Sequence, residues 1–217
     1  MERVKKYLKD NCDPQLPGVL SFGVKEAFRY LDELIDKNPI MNEPEFKKSF
    51  GHMRNSLVDI AIKFVLQKSS IDNRLILKNA KNNTNGYTHM IIEVKGAIVS
   101  SAKTSTIKHL PKKAIHRSEG SALNRQFNLF ENNDDINENT PAYLLVTYGG
   151  RNYKLEYVGI GIPDVETEKW IDYMDIKNMP VLLTNLTSEE SKNELELSFT
   201  KEAKKILGAN NNGEESV

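Results

Sequence analysis

A long apolar stripe followed by a change of period constrains the fold of this chain more than any other feature. The stripe consists of Phe46, Phe50, Met53, Leu57, Ala61 and Phe64. Its steps of three and four residues predict a helix over 42–68, with Asn42 as N-cap and Pro44 in the first turn. From Arg74 onward, short apolar segments bounded by turn residues predict strands instead. The sequence therefore predicts a helix that packs against a β-sheet.

The remaining pattern predicts a mixed α/β (α+β) fold, with a central mixed β-sheet, an N-terminal helical layer and flanking helices. The predicted strands are 74–79, 87–95, 142–148, 153–162, 180–184 and 194–199, and the further helices are 24–35, 118–130, 166–174 and 200–207. Proline and glycine in 1–22 favour an arm with one short helix. We expect three parts: an N-terminal arm and helix (1–41), a main α/β domain (42–208) and a disordered tail (209–217).

Composition restricts the class of protein. The 217 residues include 30 basic and 30 acidic side chains, so the whole chain attracts neither nucleic acid nor a membrane surface. The single cysteine, Cys12, cannot form an internal disulfide and favours a reducing, cytoplasmic location. No apolar run approaches the length of about 18 residues that a membrane span needs.

One stretch departs from this neutral background, because residues 94–118 contain no aspartate or glutamate. Its predicted nucleic-acid-binding residues are Lys103, Lys108, Lys112, Lys113, His116 and Arg117. Such one-sided charge, together with several serine and threonine hydroxyls, suits the phosphate backbone of nucleic acid, DNA above all. The alternative for these lysines is an ordinary solvated surface.

Glu93 and Lys95 lie at the end of a predicted strand, directly before this basic stretch. Residues two apart on a strand point to the same face, so a carboxylate and an ammonium emerge side by side. They can serve a metal-dependent reaction, or they can take part in an exposed cross-strand ion pair. Similar Glu-x-Lys spacings at 45–47, 190–192 and 202–204 lie in helical or polar stretches.

From about 42 to 148, the order of long helix, hairpin, short helix and strand resembles the PD-(D/E)xK nuclease superfamily. The resemblance implies that Glu93 and Lys95 correspond to the acid-x-Lys pair and Asp72 to the first acid. Asp72 and Glu93 would then hold Mg²⁺, and Lys95 would assist the attack of water. The proline that precedes the first acid in that family is replaced by Ile71 here. Asp59, on the long helix, is a second candidate carboxylate.

The register of the predicted hairpin decides whether Asp72 can reach Glu93. If paired residue numbers sum to 167, Asp72 lies opposite Lys95 and beside Glu93. If they sum to 171, Asp72 lies about four residues too far, roughly 13 Å at the rise of a strand. The two functional hypotheses are a Mg²⁺-dependent, restriction-like DNA endonuclease and a non-catalytic subunit that binds nucleic acid or protein in a bacterial or phage defence or counter-defence system. A homodimer or a partner protein is compatible with either.

Overall fold

The computed structural model describes residues 3–79, 88–125, 141–151, 154–164 and 168–181. All of them lie within one compact unit, Met1–Leu182. The α-helices are α1 (Arg3–Asn11), α2 (Leu16–Lys37), α3 (Pro44–Lys47), α4 (Phe50–Lys68) and α5 (Ile115–Ser121), with 3₁₀ turns at Pro39–Asn42 and Ala122–Arg125. The strands are β1 (Asn73–Asn79), β2 (Thr88–Val94), β3 (Ala97–Lys103), β4 (Ala142–Gly149), β5 (Tyr157–Asp164) and β6 (Lys169–Asp175).

The six strands form one mixed sheet in the order of the chain, β1 to β6. Every neighbouring pair is antiparallel except β3 and β4, which are parallel. A parallel pair needs a long crossover connection, and the segment from Thr104 to Pro141 supplies it and carries α5. The expected fold class, a mixed sheet with an N-terminal helical layer and flanking helices, is confirmed.

The sheet is covered on both faces. On one face, α2 packs against α4, and the Phe28 ring meets Tyr148 of β4 edge-on. On the other face, the tight approach of α5 depends on Gly120, because a Cβ there would lie 2.5 Å from the Tyr143 ring. Asn124, just after α5, is buried; its amide donates to the carbonyls of Tyr143 and Pro163 and accepts from the Tyr143 N–H. Every residue of β4 and β5 is buried.

Several local predictions were wrong. The segment before Val24 is not an arm, because α2 begins at Leu16; Pro17 lies in the first turn, where its missing N–H is tolerated. The long helix is interrupted between α3 and α4. The segment predicted as a helix over 166–174 contains the edge strand β6. In the basic stretch, the sequence did not reveal β3.

Other local predictions are confirmed, or lie outside the described residues. The predicted hairpins match β1 with β2 and β4 with β5. The turn at 82–86, the latter part of the helix over 118–130, most of the predicted strand over 180–184, and the strand and helix predicted after it lie outside the described residues, as does the tail. None of the helices in the described ranges is both long and apolar enough to cross a membrane.

Candidate functional site: a basic cleft between two strands

The sheet is incomplete between β2 and β3. These two strands pair only from Ile92–Val94 to Ala97–Val99, although each is seven residues long. Beyond that point the pairing ends, and β3 remains paired with β4 along its whole length. A cleft of about 500 Å³ opens at this place. We call it the basic cleft; its defining residues are Asp59, His89, Ser101, Lys103, Lys112 and Arg117.

The helix α4 supplies the carboxylate of this cleft. Asp59 is partly buried and accepts a hydrogen bond of 2.8 Å from the Ser101 hydroxyl of β3. Burial raises the pKa of Asp59 to about 6, and the Ser101 hydrogen bond opposes this rise. Because residues two apart on a strand share a face, Lys103 emerges on the same side of β3 as Ser101. The basic cleft is therefore lined both by an ammonium group and by a carboxylate whose pKa is close to neutral pH.

The described lining of the basic cleft carries more positive than negative charge. Burial lowers the pKa of Lys103, and the nearby guanidinium of Arg54 lowers it further. Arg54 itself is buried and lies 5.3 Å from the centroid of the Phe28 ring. Arg117, on α5, donates a 2.5 Å hydrogen bond to the Lys112 carbonyl of the loop after β3, which brings a further cation to the rim. A bound anion would relieve this repulsion.

Two histidines close the far side of the basic cleft. The rings of His89 on β2 and His116 on α5 stack with centroids 4.0 Å apart. Burial lowers the pKa of both, and the charge of Arg117 contributes in each case; the pKa of His116 falls to about 4. Both imidazoles are therefore neutral near pH 7. Neither ring nitrogen of His89 has a hydrogen-bond partner within the described part of the chain, although both are buried.

Four of the predicted nucleic-acid-binding residues line the basic cleft: Lys103, Lys112, His116 and Arg117. Lys108 and Lys113 lie on the same loop and are exposed, and Lys113 forms an ion pair with Glu168. Sequence reasoning included Ser101 among the hydroxyls of the basic stretch, but it missed His89 and the burial of Asp59. The only signal for His89 was alternation along β2.

The other predicted site residues lie at the opposite end of the β1–β2 hairpin. Glu93 is four residues along β2 from His89, about 13 Å at the rise of a strand. It faces Arg74 in the register, and its carboxylate lies 3.7 Å from that guanidinium. Both side chains are largely open to solvent, with 41% and 78% exposed. This is the cross-strand ion pair that the sequence allowed as an alternative.

The β1–β2 hairpin adopts the first of the two registers that were considered from the sequence. Asn73 pairs with Val94, so paired residue numbers sum to 167. Continuing this register by one residue places Asp72, which is exposed and lies just before β1, across from Lys95. Within the described ranges, no three His, Cys, Asp or Glu side chains converge closely enough to hold a metal ion. The guanidinium beside Glu93 repels a cation, which disfavours a divalent metal at this carboxylate.

Comparison with protein-family models, with curated proteins and with solved structures found no match for this chain.

Proposed function

We propose that this protein binds the phosphodiester backbone of nucleic acid in the basic cleft. The observation that carries the proposal is the convergence of Lys103, Lys112 and Arg117 on one cleft whose described lining holds a single carboxylate. Three cations beside one carboxylate leave an excess of positive charge where the chain as a whole has none. A phosphate supplies the missing negative charge and accepts hydrogen bonds from hydroxyls.

The neutral histidines support the same ligand. An imidazole with lowered pKa still donates one N–H, and His89 has buried ring nitrogens available at the edge of the cleft. Ser105, whose side chain is exposed, adds a hydroxyl group to the lining. Hydrogen-bond donors of this kind can bind phosphate oxygens. Contacts to phosphate carry little information about the base sequence. The proposed binding is therefore directed at the backbone, and a cytoplasmic location with a nucleic-acid partner belongs to this proposal.

The test is a charge-matched pair of double variants. Replacing Lys103 and Lys112 by Gln removes two cations of the basic cleft, whereas replacing Lys47 and Lys48 by Gln removes two exposed cations near α3. We expect the first pair to weaken binding to a labelled oligonucleotide and to lower the slope of log K against log salt by up to roughly 0.9 for each phosphate that is no longer neutralised. The second pair should change little. Absence of any DNA or RNA binding by the unaltered protein at low salt would contradict the proposal.

Metal-dependent cleavage of DNA is the second candidate function. The register favours it, because it is the one in which Asp72 can lie beside Glu93. The order of α4, the β1–β2 hairpin, β3, α5 and β4 is also the order that the resemblance to restriction-like nucleases implies. A divalent ion would lower the pKa of a bound water and neutralise charge on the phosphate. The Arg74 guanidinium next to Glu93 argues against such an ion.

Thermal stability in the presence of Mg²⁺ or Mn²⁺ tests this second candidate. An ion that binds only the folded protein stabilises it by about 2.7 kcal/mol at one hundred times its Kd. The expected result for cleavage is a melting temperature that rises with the metal and a rise that Glu93→Gln removes, accompanied by loss of metal-dependent DNA cleavage. If Glu93 forms only the exposed pair with Arg74, Glu93→Gln changes the free energy of unfolding by less than about 1 kcal/mol and the metal has no effect.

A further inference from the structure

A second cleft of about 520 Å³ borders the same loop as the basic cleft. Ser105, Leu110, Pro111, Lys112 and Arg117 line both clefts, so the loop that follows β3 separates them. We call the second one the lateral cleft; the residues that line it alone include Lys113, Ala114, Leu145, Pro163, Asp164 and Glu168. Its volume lies within the range of about 300–1,000 Å³ that is usual for small-molecule sites.

The lateral cleft has a different chemistry from the basic cleft. Its wall contains Leu145, which is buried in β4, and Pro163 from β5. The carboxylates of Asp164 and Glu168 also border it. An apolar wall with carboxylate acceptors suits a planar heterocycle that carries N–H donors.

The position of the lateral cleft connects it with the proposed backbone site. Lys112 and Arg117 lie at the boundary of both clefts, where they can hold a phosphate that joins two nucleotides. Glu168 forms an ion pair with Lys113, so its side chain reaches from the start of β6 to the loop after β3. Its φ of +53° is a left-handed conformation that residues other than glycine rarely adopt. Strain of this kind is concentrated at ligand sites and switch regions.

We infer that the lateral cleft binds one nucleobase of the strand whose backbone occupies the basic cleft. This inference rests on the proposed function. A base inside a duplex is stacked and paired and cannot enter a cleft in the protein surface without being extruded, which requires energy. The protein therefore selects single-stranded nucleic acid, or a duplex with an unpaired nucleotide, over a fully paired duplex.

An oligonucleotide with abasic residues tests the inference on the unaltered protein. An abasic strand keeps the phosphates and sugars and lacks the bases, so it can still occupy the basic cleft. We expect it to bind about tenfold more weakly than a thymidine strand of the same length, which corresponds to about 1.4 kcal/mol for one bound base. Equal affinity for the two strands overturns the inference and leaves the proposed function standing. Binding of neither strand at low salt contradicts the proposed function instead.

A pair of variants then locates the bound base. Ala114 is partly buried and borders the lateral cleft, and its backbone is extended, so Ala114→Phe can fill that cleft without touching the basic cleft. Ala122→Phe adds the same ring at an exposed position after α5. The expected result is that Ala114→Phe binds the thymidine strand about tenfold more weakly while its affinity for the abasic strand is unchanged. Ala122→Phe should behave as the unaltered protein. Equal losses on both strands for Ala114→Phe would place the base elsewhere.

Discussion

At the scale of single residues, Asp59 decides the electrostatics of the basic cleft. Burial raises its pKa to about 6 from the ordinary value of 3.8, and the Ser101 hydrogen bond opposes this rise. The cost of removing the charged group from water is the larger of these two effects. A bound phosphate would raise this pKa further, because like charges repel. Asp59 thus weakens anion binding when it is ionised.

Asp59→Asn should stabilise the protein at pH 7.5. In the unfolded chain the carboxyl loses its proton near pH 3.8, whereas in the folded chain it does so near pH 6. Between these values the unfolded state binds fewer protons, so the free energy of unfolding falls as pH rises, and the loss is complete above about pH 6. Asparagine cannot ionise and keeps an oxygen for the Ser101 hydroxyl. We expect a gain of about 1–3 kcal/mol at pH 7.5 and none at pH 3.5, measured by urea unfolding.

The same variant has a predicted effect on binding. Nucleic-acid affinity of the unaltered protein should rise as pH falls from 7.5 to 5, because Asp59 becomes neutral while His116, with a pKa of about 4, stays uncharged over most of that range. Asp59→Asn should remove most of this pH dependence. An affinity that does not change with pH in the unaltered protein would exclude Asp59 from the binding site.

At the scale of secondary-structure elements, the crossover between β3 and β4 positions the cleft. Arg117 and His116 lie on α5, and the short segment that follows α5 is held to the sheet by Asn124. The stack of His89 on His116 joins α5 to β2 across the place where β2 and β3 separate. The basic cleft therefore depends on the docking of α5.

Asn124→Ala should destabilise the protein strongly. The buried side chain makes three hydrogen bonds, two to Tyr143 and one to Pro163, and its removal leaves buried backbone groups without these partners. Each such group costs about 1–3 kcal/mol, so we expect a loss of about 3–5 kcal/mol in the free energy of unfolding. Asn42→Ala, at an exposed asparagine, is the matched control and should stay within about 0.5 kcal/mol. A small loss at Asn124 would mean that water or other groups replace its hydrogen bonds.

At the scale of the whole molecule, the balance of 30 basic and 30 acidic residues limits long-range attraction. Binding of nucleic acid should then reflect only the cations of the basic cleft. Neutralisation of about three phosphates by Lys103, Lys112 and Arg117 predicts a slope of log K against log salt of roughly −2 to −3. Titrations of an oligonucleotide strand at several salt concentrations check this. A much steeper slope would indicate a wider binding surface than the basic cleft.

The segments whose local pattern agrees with their tertiary environment could be predicted from sequence. In α4, Phe50, Leu57, Ala61 and Phe64 of the predicted stripe are buried, and β4 and β5 are buried along their whole length. The hairpin of β1 and β2 was also predicted, and one of its two considered registers is the observed one. The loop and helix that supply residues of the basic cleft lie within or directly after the acid-free stretch that the sequence singled out.

Other features depend on partners that are distant in the chain. The residues of β6 have the spacing of a helix. However, Trp170 packs over Gly161, and the backbone of β6 pairs with β5. These tertiary contacts outweigh the local helical propensity. Gly18, which suggested an arm, lies inside α2 against the Pro180 carbonyl.

The sequence by itself determined the layered α/β class and the location of the positive charge, because both follow from the composition of short segments. Only the tertiary structure decided which lysines share a cleft. The basic cleft exists because β2 and β3 stop pairing after Ile92 and Val99, and because α4 brings Asp59 to Ser101 from 42 residues away in the chain. Strand pairing and helix docking are long-range interactions, and no local period in the sequence records where they end.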